Sequence, residues 1–122
     1  MSKTVLLVDD SEVFRKIVRV YLKNANFEIM ESGDGQEAFT LLESGQKINL
    51  IVCDVNMPNM DGLTFIRKMK EHPKLKFTPI IMLTTESEEE KKRQGMEAGV
   101  KAWLVKPFSP EELLNAINKI LL

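Results

Sequence analysis

The feature that most restricts this chain is a set of short apolar runs that do not alternate with polar residues. Residues 5–8 read Val-Leu-Leu-Val, 50–53 Leu-Ile-Val-Cys, 80–83 Ile-Ile-Met-Leu and 102–105 Ala-Trp-Leu-Val. A strand with one wet face alternates apolar and polar side chains, so uninterrupted runs of this length belong to strands buried on both faces of a parallel sheet. Residues 27–30 form a further strand, broken by Glu28 and therefore nearer an edge.

Between the runs the apolar spacing changes to that of helices. Over 11–24, Phe14, Ile17, Val18 and Tyr21 recur at helical intervals, with Asp10 or Ser11 placed to cap the start. Over 34–44, Ala38, Leu41 and Leu42 point inward and Gly45 ends the helix. Leu63, Ile66 and Met69 mark a third helix ending before Pro73, and 86–98 a fourth closed by Gly99. Along that fourth helix Glu88 to Lys92 and Glu89 to Arg93 are spaced as i,i+4 pairs. Over 109–122, Leu113, Ile117, Ile120 and Leu121 share one face. Five strands alternating with five helices make an α/β chain with a doubly wound parallel sheet.

Composition sets the outer bounds. With 122 residues, 43% hydrophobic and 29% charged, residues 1–122 hold one core and are expected to form a single domain without an effector domain. A formal net charge of −1 gives no basis for a nucleic-acid partner. The one lysine-rich stretch, 70–76, is interrupted by Glu71, His72 and Pro73, and His72 is expected to be exposed beyond a helix end. No apolar run is long enough for a signal peptide or membrane insertion. The single cysteine, Cys53, has no disulfide partner and lies in an apolar run as a small buried residue, so a reducing, cytoplasmic setting is expected.

Right-handed crossovers put the carboxyl ends of all strands on one edge, where open α/β sheets bind their ligands. Strand one delivers Asp9 and Asp10 to that edge, strand three Asp54, strand four Thr84 and strand five Lys106. Strand two ends in Ser32-Gly33-Asp34, which is not placed in the site. Two carboxylates about 4 Å apart repel by roughly 4 kcal/mol at an effective dielectric of about 20. Three therefore call for a protonated member or a bound cation. An all-oxygen set with vacancies for water and phosphate suits Mg²⁺. With a lysine and a threonine hydroxyl beside it, the set is equipped to handle a phosphoryl group, which a carboxylate can accept covalently. Asp54 is the acceptor candidate, because it stands alone on the expected central strand.

These residues resemble those of the response regulator receiver domains of two-component systems, most closely the single-domain chemotaxis type. The resemblance runs over nearly the whole chain: Asp9-Asp10, Asp54 with Met57-Pro58-Asn59-Met60-Asp61-Gly62, Thr84, and Lys106-Pro107. It implies strand order 2-1-3-4-5. It also implies that Asp54 accepts a phosphoryl group from a sensor histidine kinase. Asp10, Asp54 and the backbone carbonyl of Asn56 would ligate Mg²⁺, with Asp9 reaching it through water. Lys106 would pair with the phosphoryl oxygens, and Thr84 would move to bond them. An aromatic residue on strand five would turn inward in response. Here that residue is Trp103, a larger indole where the family more often has Tyr or Phe. Asn56 and Glu86 hold positions that tune phosphoryl lifetime, and the Lys106–Pro107 bond is expected to be cis.

The same resemblance implies a protein that assists its own phosphorylation and dephosphorylation without a separate turnover substrate. Its output would pass through the fourth helix, fifth strand and fifth helix to a protein target, such as a motility or kinase-regulating component. Two alternatives compete. A Mg²⁺-dependent phosphatase or phosphotransferase of the haloacid dehalogenase type would want an acid two residues after Asp54, where Asn56 stands. A flavodoxin-like flavin carrier would want a Ser/Thr/Gly-rich phosphate loop, where Asp9-Asp10-Ser11-Glu12 stands.

Overall fold

The computed structural model describes residues 3–85 and 89–121. Its elements run β1 (Thr4–Val8), α1 (Glu12–Asn24), β2 (Glu28–Ser32), α2 (Gly35–Glu43), β3 (Leu50–Asp54), α3 (Gly62–Glu71), β4 (Ile80–Thr84), α4 (Glu89–Glu97), β5 (Ala102–Val105) and α5 (Pro110–Leu121). The strands form one sheet in the order β2-β1-β3-β4-β5, with every pairing parallel. β3 is central and β2 an edge, as the patterns require; β5 is the other edge, partly buried with Val105 39% exposed, so its apolar run is not covered on both faces as expected.

Successive residues of the inner strands point to opposite faces, and both faces are covered. Leu6, Val8, Ile51, Cys53, Ile80 and Met82 pack with Ala38 and Leu42 of α2 and with Phe65, Ile66 and Met69 of α3. Val5, Leu7, Leu50, Val52, Ile81 and Leu83 pack with Val18 and Leu22 of α1 and with Leu113 and Ile117 of α5. This double cover is why the runs do not alternate.

Side-chain caps start the helices: Ser11 for α1, Asp34 for α2 and Asp61 for α3 each accept the backbone N–H three residues on. Gly45 (φ 92°) and Gly99 (φ 102°) make the left-handed turns after α2 and α4.

Several local expectations are corrected. β2 runs over Glu28–Ser32 instead of 27–30, because Leu7 and Val8 of β1 pair with Glu31 and Ser32; the Glu31 side chain meets Arg15 (3.1 Å) and Arg19 (2.5 Å) of α1. Ile17 is exposed, not inward: α1 buries Val18 and Leu22, and Ile17 falls with Val13 and Val20 on a second apolar stripe facing solvent. Phe65, fully buried, joins Ile66 and Met69 on the inner face of α3. His72 is half-buried, with Nδ1 accepting the backbone N–H groups of Lys74 (3.1 Å) and Leu75 (3.3 Å) and its ring edge-on to Phe39. α4 is described from Glu89, so its expected start at Glu86, and Glu88 with its pairing, lie outside the described residues. On α4, Arg93 pairs with Glu90 and with Glu97 (2.6 Å).

Candidate functional site

The site forms where β1, β3, β4 and β5 end. Asp9 follows β1, Asp54 closes β3, Thr84 closes β4 and Lys106 follows β5. The register carries Val8 beside Cys53, Asp54 beside Leu83 and Thr84 beside Val105, which brings these ends level. Asp9 is 2% exposed, Asp54 6% and Thr84 fully buried, whereas Asp10 is open to solvent.

Carboxylate oxygens of Asp9, Asp10 and Asp54 lie within 4.8 Å of one another. Asp9 is held on both oxygens: Oδ1 accepts the Ser11 backbone N–H (2.8 Å) and Oδ2 accepts from Lys106 Nζ (2.8 Å). Asp54 Oδ1 accepts the Asn56 backbone N–H (3.1 Å), and Oδ2 lies 3.6 Å from Lys106 Nζ. The Lys106 ammonium sits 4.0 Å from the centroid of the Phe14 ring, a cation–π contact that fixes it from the other side. Its backbone is tied to β4 by Lys106 N–H donating to the Thr84 carbonyl (2.6 Å), and the Lys106–Pro107 bond is cis.

The loop after β3 is folded tightly enough that Gly62 admits no side chain. A Cβ there would lie 2.6 Å from Met82 Cε, 2.7 Å from the Asp54 carbonyl oxygen and 2.8 Å from Val55 Cα. Gly62 N–H closes the loop on the Val55 carbonyl (2.9 Å), so Asp54 and the start of α3 are one rigid unit.

Burial pushes the Asp54 carboxyl above its ordinary range. The Asn56 N–H and the Lys106 charge oppose that rise without cancelling it, and Asp9 and Asp10 add to it. The Cys53 thiol is pushed well up by burial and then by Asp54, Asp9 and Asp61, so it stays neutral and inert beside the site.

Three clustered carboxylates, one open to water, fit a hard divalent cation of the Mg²⁺ kind. Asp9, with both oxygens engaged, is the member least free to bind an ion directly. Of the other expected site residues, Asn56 is exposed with its N–H on Asp54, Trp103 lies under α4, and Glu86 lies outside the described residues. A cleft of about 320 Å³ lined by Asn56, Met57, Asp61, Leu63 and Lys91 opens beside the β3–α3 loop.

Three contributors were not among the expected site residues. Arg15 donates to the Asp9 carbonyl while holding Glu31, and Phe14 stacks under Lys106. Asp34, which caps α2, also accepts from Asn59 Nδ2 of the β3–α3 loop (3.0 Å). The signal for the first two was their place one turn into the helix that follows the acid pair.

The model of the response regulator receiver domain family matches residues 5–118. The chain belongs to that family. It is 41% identical to the chemotaxis response regulator CheY4 of Vibrio cholerae, with a TM-score of 0.91 over 99% of this chain and 100% of that one. A putative response regulator from Chloroflexus aurantiacus is 33% identical with a TM-score of 0.92, covering 99% and 98%. The transcriptional regulatory protein SrrA of Staphylococcus aureus is 40% identical over 99% of this chain, which spans 48% of that protein's length. Receiver domains of this family act in phosphorylation-activated signalling and meet sensor histidine kinases and downstream effectors. Among the described residues no helix is long and apolar enough to cross a membrane.

Proposed function

We propose that this chain is a phosphorylation-driven switch in which Asp54 accepts a phosphoryl group from a phosphohistidine of a sensor kinase. The observation that supports it best is the carboxylate of Asp54, buried at the sheet edge 3.6 Å from Lys106 Nζ and beside two further carboxylates. An Asp54 carboxylate oxygen attacks phosphorus, the P–N bond breaks, and its electron pair stays on the imidazole of the donor. Asp10, Asp54 and the Asn56 carbonyl would hold Mg²⁺, with Asp9 acting through water; the ion supplies charge neutralisation for the transferring group. Lys106 faces the new phosphoryl oxygens, and the Thr84 hydroxyl donates to them. Asn56 beside Asp54, and Glu86 by its place in the receiver sequence pattern, set the lifetime of the product.

The exposed stripe Val13, Ile17 and Val20 on α1, 70%, 58% and 53% exposed, supports an apolar docking seat for the kinase that carries the donor. It begins one turn from the site and continues into a groove lined by Phe14, Tyr21, Phe108 and Pro110. Output passes through α4, β5 and α5 to a protein target. The chemotaxis regulator among the relatives makes a motility or kinase-regulating component the first target to test.

A phosphoryl group replaces the single charge of Asp54 by about −1.5 to −2 and adds three acceptor oxygens, which biases a two-state equilibrium. Incubation with Mg²⁺ and acetyl phosphate should give one labile phosphoryl adduct by intact mass, absent from Asp54→Asn. An adduct that persists in Asp54→Asn overturns the assignment. The dehalogenase-type and flavin-carrier alternatives have no support in the family membership; the amide at 56 does not fit the first and the acids at 9 and 10 do not fit the second.

A further inference from the structure

Of the described helices, α4 is the one least embedded in the protein. Its sequence is Glu-Glu-Lys-Lys-Arg-Gln-Gly-Met-Glu, and of these residues only Gly95 is buried, whereas α1, α2, α3 and α5 each bury two or more residues. What Gly95 packs on is Trp103. A Cβ built on Gly95 would lie 2.7 Å from Cζ3 and 3.3 Å from Cε3 of the indole, so the helix backbone rests directly on the six-membered ring.

Two further facts bear on this contact. A glycine in mid-helix weakens the helix, and here it sits at the one buried position of α4. The ring also packs against the inner core layer, while its Nε1 is buried and, among the described residues, finds no hydrogen-bond partner. Among the described residues the indole is therefore kept in place by apolar packing, with its donor unsatisfied. At its other end α4 borders the phosphoacceptor loop, where Lys91 lines the cleft shared with Asn56 and Asp61.

We infer that Trp103 is a fixed post and Gly95 the notch that seats α4 on it, so that the signal reaches α4 by moving the helix on the ring, without turning the ring out. A larger aromatic than the family usually carries is thus used as an anchor. The inference rests on the proposed phosphorylation of Asp54 for the signal, but the anchor itself is tested without phosphorylation.

Trp103 is the sole tryptophan of the chain, so its fluorescence reports this contact directly. Ordinarily Gly→Ala within a helix slows amide exchange, because alanine is the better helix former. If the notch is real, Gly95→Ala should do the opposite in unphosphorylated protein, speeding exchange across 89–97 about tenfold by local opening. Gly95→Ala with Trp103→Phe should restore protection, since the shorter ring leaves room for the new methyl. Slower exchange in Gly95→Ala, or no rescue in the double variant, overturns the anchor. In wild type treated with Mg²⁺ and acetyl phosphate, exchange across 89–97 should change while emission maximum and acrylamide quenching stay put. A red shift with stronger quenching would show that the ring turns out, and would overturn the fixed post. Intact mass of the same samples reports the adduct; its failure to form would overturn the phosphorylation of Asp54 and leave the Gly95 variants to decide the anchor.

Discussion

Lys106 Nζ donates to Asp9 Oδ2 at 2.8 Å across a sequence separation of 97 residues, joining the end of β1 to the end of β5. The pair is nearly enclosed, with the Asp9 side chain 3% and the Lys106 side chain 17% exposed. Removing one partner of such a pair leaves an uncompensated buried charge, whereas removing both does not. Lys106→Met should therefore cost about 2–4 kcal/mol in urea unfolding, and Lys106→Met with Asp9→Asn should recover most of it. Equal losses for the single and the double variant would show that the charge pair is not what Lys106 contributes.

The acid cluster should make the ion-free protein less stable than its chain can be. Burial, with Asp9 and Asp10 beside it, raises the Asp54 carboxyl, so holding it ionised in the folded protein costs stability above its unfolded pKa. Asp54→Asn should stabilise the protein by about 1 kcal/mol without divalent ions at neutral pH. Mg²⁺ at about ten times its Kd should stabilise wild type by about 1.4 kcal/mol, and Asp10→Asn should lose that gain. Thermal melts with Mg²⁺ or EDTA measure both effects.

Gly62 and Gly33 should respond oppositely to the same change. A methyl at Gly62 meets the Asp54 carbonyl and the Val55 Cα, which are backbone and cannot step aside, whereas at Gly33 the nearest atom is a guanidinium nitrogen of Arg15 at 3.9 Å. Gly62→Ala should cost about 2–3 kcal/mol and slow adduct formation by displacing the β3–α3 loop; Gly33→Ala should stay within about 0.5 kcal/mol.

Much of this was legible in the sequence for a physical reason. Strands buried on both faces cannot hide: Val5 to Val8 and Ile80 to Leu83 are apolar throughout because each face meets a helix layer. The acids, Thr84 and Lys106 were placed on one edge because parallel strands all end there. What stayed illegible depends on contacts between elements. α1 carries two apolar stripes, and spacing alone does not say whether Ile17 or Leu22 turns inward. Phe65 lies beside the expected inner positions of α3, and the capping of two amides by His72 requires the turn that Pro73 makes possible. Nothing near Gly95 in the chain shows that Trp103 lies beneath it.

Glu31 carries a pH dependence that follows from its two arginines. Burial pushes its carboxyl up, but the hydrogen bonds and charges of Arg19 and Arg15 outweigh burial and hold it below the ordinary range. A carboxylate with a depressed folded pKa stabilises the protein above its unfolded pKa, and that stability is lost as pH falls through the folded value. Glu31→Gln should therefore cost about 1 kcal/mol at neutral pH, discounted for partial exposure, with the difference from wild type shrinking as pH drops below about 4. Urea unfolding of both proteins across the acid range measures it, and a gap that stays constant would assign the effect to shape, not charge.

The α1 stripe separates docking from chemistry. Ile17 is 58% exposed and lies apart from the acids, so a charge there leaves the site intact while placing an ion where an apolar partner surface would seat. Ile17→Glu with Val20→Glu should leave the rate of adduct formation from acetyl phosphate within about twofold of wild type. Transfer from a histidine kinase competent for wild type should fall at least about tenfold, since losing two central apolar anchors costs more than 1.4 kcal/mol of docking free energy. Equal loss with both donors would mean that the variant had disturbed the site; no loss with either would move the donor's seat off α1. The two rates, read on one protein preparation by intact mass, therefore locate the kinase contact independently of whether Asp54 is the acceptor.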